Sequence, residues 1–191
     1  MNPARQYPID YKAFSLRESD FENHSQRHGI NHTYRVMYHV LNIGTNTGMS
    51  DAVLPAWCAA FIHDMARQHD GYCTQHGSWA ARDKLPIFVE LFKNQGITDS
   101  QMEAIQLATS MHSQTGELAT KHIHYPTVAL LKDADALDRI RISECNLKAD
   151  YLRFDESRTL IGFAKQLFYK TNARPLSSFD ELLMIVEDGE I

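Results

Sequence analysis

Residues 50–71 read SDAVLPAWCAAFIHDMARQHDG, and the organisation of the chain turns on them. Ser50-Asp51 supplies a helix start, Pro55 sits close enough to that start to be tolerated, and a nearly apolar run from Leu54 to Ile62 continues the helix. Ala56, Ala59 and Ala60 make its inner face small, so neighbouring helices can approach closely before that face reaches His63 and Asp64. Cys58 reads as one more small core residue on it. The run is about half the length a membrane span needs. Adjacent His63 and Asp64 would point about 100° apart on an ideal helix, so both can serve one site only if the helix ends there and the backbone turns. The stretch from Arg67 to Gly71 permits that turn.

Helical periodicity extends on both sides. Asn31 is the expected N-cap of a helix running to about Gly44, with Val36, Val40 and Ile43 on one stripe and Gly44, Thr45, Asn46 and Gly48 ending it. Two helical stretches, Gly77 to Lys84 and Pro86 to Asn94, follow, with Gly96 as the stop. Thr98 to Gln101 is a capping box, and Ile97 with Met102 has hydrophobic-staple spacing. The next helix puts Ile105, Ala108 and His112 on one face at i, i+3, i+7. Pro126-Thr127 opens another, with Val128, Leu131 and Asp135 at the same spacing. Asp155 to Lys170 carries Leu160, Phe163, Ala164 and Leu167, and Ser178 to Glu181 is a second capping box before Leu182, Leu183 and Val186. No alternating run argues for a strand. The expectation is an all-α bundle of roughly six to nine helices. It is read as a single domain over 28–191, with 143–191 as a C-terminal helical extension and 1–27 as an N-terminal arm of undefined structure.

The chain of 191 residues carries 19 Lys+Arg against 24 Asp+Glu, a net charge of −5, and its 43% hydrophobic and 23% charged content is that of a globular protein. The acidic balance argues against nucleic acid or anionic membrane as the principal partner. Cys58, Cys73 and Cys145 form no C-x-x-C pair, which excludes a disulfide framework or a cysteine zinc finger and fits a reducing compartment. The first residues show no apolar signal-peptide core, and the expected location is cytoplasmic. Ten histidines are the compositional feature that asks for an explanation.

Three apolar helix faces end at potential metal ligands, namely His63-Asp64, His112 and Asp135, and His32 lies in the first turn of its helix. Imidazoles and carboxylates without thiolate suit Mn, Fe, Mg, Co, Ni or Zn. A His-Asp dipeptide alone means little: ten histidines and fourteen aspartates give roughly 0.7 by chance, and two occur. His69-Asp70, in a polar loop, reads as the chance one. The ordered set is more specific. His32-x-x-Arg35-Val36, Phe61-Ile62-His63-Asp64, His76-Gly77-x-x-Ala80-Ala81, Ile105 to His112 and Asp133-Ala-Asp135-Ala-Leu137-Asp138 together resemble the HD superfamily of metal-dependent phosphohydrolases, in its small stand-alone form, over about residues 28–142.

The resemblance implies that His32, His63, Asp64 and Asp135 hold a divalent metal. It further implies that His76 and His112 complete a second site in which Asp64 bridges two ions. In such enzymes the metal acidifies a bound water that attacks phosphorus. The implied substrate is a small phosphate ester such as a nucleotide. Two departures stand out: Ala136 takes the place of an arginine found in many relatives, leaving Arg139 as a substitute, and Arg67 occupies a position that is acidic in some nucleotidases. Arg67 and Arg139 are therefore the candidate phosphate-binding residues, with Arg67 either holding phosphate or screening acidic neighbours. Asp138 is the candidate for orienting a ligand histidine. Arg35 reads as a surface salt-bridge residue, His39 as structural, and His24, His28, His69, His122 and His124 as solvated. The Phe163-Leu167-Phe168 and Leu182-Leu183-Val186 stripes read as core or as a homodimer face. Two further functions share the same residues, an HD-fold di-iron oxygenase and a metal-containing nucleotide-binding domain without turnover.

Overall fold

The computed structural model describes residues 3–188, and among these there are helices and turns but no strand. The α-helices are α1 (Ile30–Thr47), α2 (Ser50–Ile62), α3 (His76–Trp79), α4 (Leu85–Asn94), α5 (Asp99–Met111), α6 (Tyr125–Leu137), α7 (Asp155–Thr159), α8 (Ile161–Thr171) and α9 (Phe179–Glu187). Among the described residues, no helix is long and apolar enough to cross a membrane.

The apolar run of α2 makes it the central helix. Residues from Ala52 to Ile62 are buried except Leu54, and α1, α5 and α6 pack around them. A helix apolar on all sides has no solvent face to offer, so it must be enclosed. Pro55 lies in the second turn, deeper than the sequence suggests. A proline there cannot donate to the carbonyl of Asp51, four residues back, and exposure of Asp51 leaves that carbonyl near water. Gly44 is not a stop: α1 continues to Thr47 and ends at Gly48, whose φ of +70° is left-handed. A Cβ on Gly44 would meet Val53 at 2.1 Å, so this glycine allows α1 and α2 to cross closely.

Other boundaries also differ from expectation. The N-cap of α1 is Gly29, and Asn31 sits in the first turn. Its side-chain amide donates to the carbonyls of Thr171 and Arg174 (2.7 and 2.8 Å) and its oxygen accepts from Leu176 N–H (2.8 Å), clipping the C-terminal segment to α1. α3 and α4 are joined through a π turn, Ala80–Lys84, placed where Pro86 cannot donate to the preceding turn. The stretch expected as one helix from Asp155 breaks at Leu160 (φ −86°, ψ −3°) into α7 and α8. Thr98 and Gln101 form the full capping box of α5. Ser178 caps α9, but Glu181 reaches back to Ser177 rather than to the cap residue.

The N-terminal segment is part of the core rather than an appended arm. Phe14 is fully buried, edge-on to Trp57 (4.3 Å) and Phe61 (5.1 Å), and Tyr34 OH accepts from Leu16 N–H (3.0 Å). Phe14→Ala is therefore expected to cost about 3–5 kcal/mol. Urea unfolding of the full chain measures this, and an unchanged midpoint would mean that the segment does not pack on α2.

Candidate metal centre

Four helix ends meet at one place. α2 stops at Ile62, so His63 and Asp64 fall on the turn that leaves the helix rather than on opposite faces of it. His32 comes from the first turn of α1, His112 caps the C-terminus of α5, and Asp135 lies in the last turn of α6. His76 begins α3. Gly77 beside it lies against α5, where a Cβ would stand 2.4 Å from the Thr109 carbonyl oxygen and 2.8 Å from His112 Nδ1. The absence of a side chain there brings His76 to His112.

The protons of the rings are assigned by their hydrogen-bond partners. His32 Nδ1–H donates to Asp138 Oδ2 (2.7 Å), His63 Nδ1–H to the Ala60 carbonyl (2.6 Å) and His112 Nδ1–H to the Thr109 carbonyl (2.7 Å). Each Nε2 is then a lone pair. His32 Nε2 lies 3.0 Å from His63 Nε2, 3.3 Å from Asp64 Oδ2 and 3.4 Å from Asp135 Oδ1. Where the rings are neutral, these atoms are all acceptors crowded together, and a cation among them would relieve that crowding. His32, His63 and Asp135 offer ligand atoms all within 4.8 Å of one another, and so do His63, Asp64 and His112, a closeness that shared ligands of one ion require. The donor set therefore fits a divalent metal.

The second set differs. Arg67 Nη1 lies 3.0 Å from His76 Nδ1 and 3.2 Å from its Nε2, and a His76 proton on Nε2 can go to Asp64 Oδ1 (3.1 Å) or His112 Nε2 (3.0 Å). This trio can satisfy itself, whereas the first cannot. Asp64 turns Oδ2 to the first set and Oδ1 to the second.

Electrostatics keep the ligands in the state a metal needs. Burial pushes His63 down to about 3, so its ring is neutral at physiological pH. Burial alone would raise Asp64, but His63, His112, His32 and His76, wherever one of these rings carries a proton toward the carboxylate, outweigh it and hold the carboxyl well below its usual range. Asp135 is likewise held low, with burial overcome by Arg141, His32 and His63.

Asp138 orients His32, and the structure corrects the reading of Arg35 as a surface residue. Arg35 is 1% exposed, and its Nε and Nη2 donate to the two oxygens of Asp138 (2.6 and 3.0 Å). The signal was the i+3 spacing from His32, which puts both side chains on one face. His28, read as solvated, is buried with Nδ1 3.0 Å from Asp70, so the second His-Asp dipeptide has a structural task. Asp133 faces away from the site and accepts from the backbone of Arg153 and Phe154.

A cavity of about 790 Å³ opens over Asp64, His76, His112 and Asp135. Cations from several segments line it: Arg27, Arg67, Lys132, Arg139, Arg141 and Arg153. Lys132 and Arg153 are paired with Glu117. Arg67 donates from Nε to the His69 carbonyl (3.0 Å) and from Nη2 to the Gly71 carbonyl (2.7 Å), fastening the loop that follows Asp64. Sequence spacing gave no hint of Arg141, whose Nη2 lies 3.3 Å from Asp135 Oδ1.

Two expectations follow. Asp138→Asn removes the charge that compensates buried Arg35 and should cost about 3–5 kcal/mol in urea unfolding; a loss below about 1 kcal/mol would refute the pairing. His39, fully buried with neither ring nitrogen hydrogen-bonded, is pushed by burial from its usual 6.5 to about 4. The unfolded chain protonates this residue first, so its contribution is present above about pH 6.5 and is lost as pH falls to about 4, on the order of 3 kcal/mol. His39→Leu should flatten the pH dependence of stability in that window, and an unaltered slope would refute the assignment.

The chain matches no known protein-family model, no curated protein and no solved structure.

Proposed function

We propose that the chain is a metal-dependent phosphohydrolase acting on a small phosphate ester, with a nucleotide as the leading class. The observation that carries this reading is the convergence of His32, His63, Asp64 and Asp135, with Asp64 and Asp135 opening onto a cavity that several arginines line. An anionic substrate is drawn to such a wall even though the chain as a whole is acidic. A divalent ion held by those four side chains would supply an acidified water as nucleophile and neutralise charge gathering on the phosphoryl oxygens.

The remaining work falls to the protein. Asp138 fixes the tautomer of His32, and the carbonyls of Ala60 and Thr109 do the same for His63 and His112, so each ring presents a lone pair without rearrangement. The buried walls keep bulk water from the ligands and strengthen every charge interaction within. A second reading, an HD-fold di-iron oxygenase, draws on the split of Asp64 between two donor sets.

The full chain loaded with Mn²⁺ is expected to release phosphate from a panel of monoesters and nucleotides. Asp64→Ala should lower that release by at least about 100-fold, the upper end of what losing a mere orienting residue costs. Full activity in this variant would refute the site. Bound iron with O₂ uptake and no phosphate release would favour the oxygenase. Bound metal with neither reaction would leave a binding domain without turnover.

A further inference from the structure

Most cations around the cavity already have partners. Arg67 places all three of its guanidinium nitrogens on protein acceptors, and Lys132 donates to the Gly116 carbonyl (2.6 Å) and to Glu117 (3.1 Å). Two arginines on the 3-10 turn after α6 differ. Arg141 has a side chain only 6% exposed; its Nε donates to the Arg27 carbonyl (2.8 Å), its Nη2 approaches Asp135, and its Nη1 is buried with no hydrogen-bond partner. Arg139, two residues earlier, has a buried Nε without a partner, and its guanidinium lies over the Tyr151 ring at 5.5 Å. Both arginines line the cavity that contains Asp64 and Asp135.

A guanidinium N–H buried without an acceptor is uncommon, because the loss of its water is not compensated. Two of them on one turn, on side chains that line one cavity beside the Asp135 carboxylate, are uncompensated charge that an oxyanion entering the cavity would relieve once those side chains turn toward it. We propose that Arg139 and Arg141 form the phosphate subsite, and that it selects phosphate monoesters over diesters. The proposal rests on the hydrolytic reading above and names its substrate class. A monoester dianion has three non-bridging oxygens, enough for both arginines and the metal side of the site together. A diester has two non-bridging oxygens and a single charge, so one of the three partners goes unmatched. Charge-assisted bonds from a planar guanidinium fork are those that most reward such a match. Tyr151 supports the subsite by holding the plane of Arg139 from below, and Arg141 couples it to the metal centre because the same guanidinium touches Asp135. Arg67, whose three guanidinium nitrogens each meet a protein acceptor, is committed to the loop after Asp64.

Calorimetric titration of the full chain with methyl phosphate and dimethyl phosphate tests this, with Mn²⁺ content measured in parallel. Methyl phosphate should bind at least tenfold more tightly than dimethyl phosphate. Arg139→Gln and Arg141→Gln should each weaken methyl phosphate binding at least tenfold, Arg141→Lys by less, and Arg82→Gln, on an exposed side chain far from the cavity lining, not at all. Circular dichroism verifies folding, and should Arg141→Gln not fold, Arg139→Gln and Arg141→Lys carry the comparison. Equal binding of the two esters, binding unchanged in the variants, or no binding by the wild type overturns the subsite. Hydrolysis of monoesters by the wild type and the arginine variants alike would also overturn it while leaving the hydrolytic reading in place. The expected binding pattern with no ester hydrolysed would uphold the subsite and remove the hydrolytic reading.

Discussion

Between α1 and the end of α6, the carboxylate of Asp138 is enclosed with no access to water and accepts hydrogen bonds from His32 Nδ1 and from two nitrogens of Arg35. Burial disfavours its charge, and Arg35 and His32 reverse the balance, holding the carboxyl below its usual range. A buried ion pair is not by itself a source of net stability, because desolvation of both partners offsets their attraction. What it supplies here is definition. The pair locks the rotation of α1 against α6, and the same carboxylate sets which nitrogen of His32 carries the proton. The orientation of the His32 ring and the register of two core helices are thus consequences of one contact.

Around that contact the candidate ligands all sit at or near helix ends. The placement follows from what each position must do. In mid-helix, a side chain approaches a neighbouring helix across a full interhelical gap, whereas a terminus can turn and aim several groups at one point. The turn after Ile62 resolves the 100° problem posed by His63 and Asp64. Gly77, the second residue of α3, removes the remaining distance to α5. Because α2 is enclosed on all sides, these ends are anchored to the most buried part of the core, and the ligands inherit its rigidity.

Periodicity made the helices legible, and the Thr98 capping box located one terminus to the residue. The order of His32, His63-Asp64, His76, His112 and Asp135 was enough to propose which side chains the fold brings together, since local sequence sets where each lies in its helix. Features that depend on partners distant in sequence were hidden. Nothing near Arg35 announces that its counter-charge is Asp138, and nothing near Arg141 shows that its Nε reaches the Arg27 carbonyl. The N-terminal segment has no period because its residues pack individually: Phe14, Leu16 and Phe21 enter the core from turns. Asn31 was misread because the chemistry that favours an N-cap also suits a polar clip to the backbone, and only the tertiary structure decides between them. The break at Leu160 carries no proline or preceding glycine to mark it.

The Asn31 clip has a temporal consequence. The first turn of the helix that bears His32 is fastened to the backbone near residues 171–176, and Arg35 also reaches the hydroxyl of Thr171. During synthesis the N-terminal helices leave the ribosome long before these partners exist. The earlier helices can collapse on one another as they emerge, yet α1 lacks its final fastening until the last tenth of the chain has followed. Completion of the site is therefore deferred until residues 171–176 have emerged, and a nascent chain shorter than this would expose half-assembled side chains without closing them.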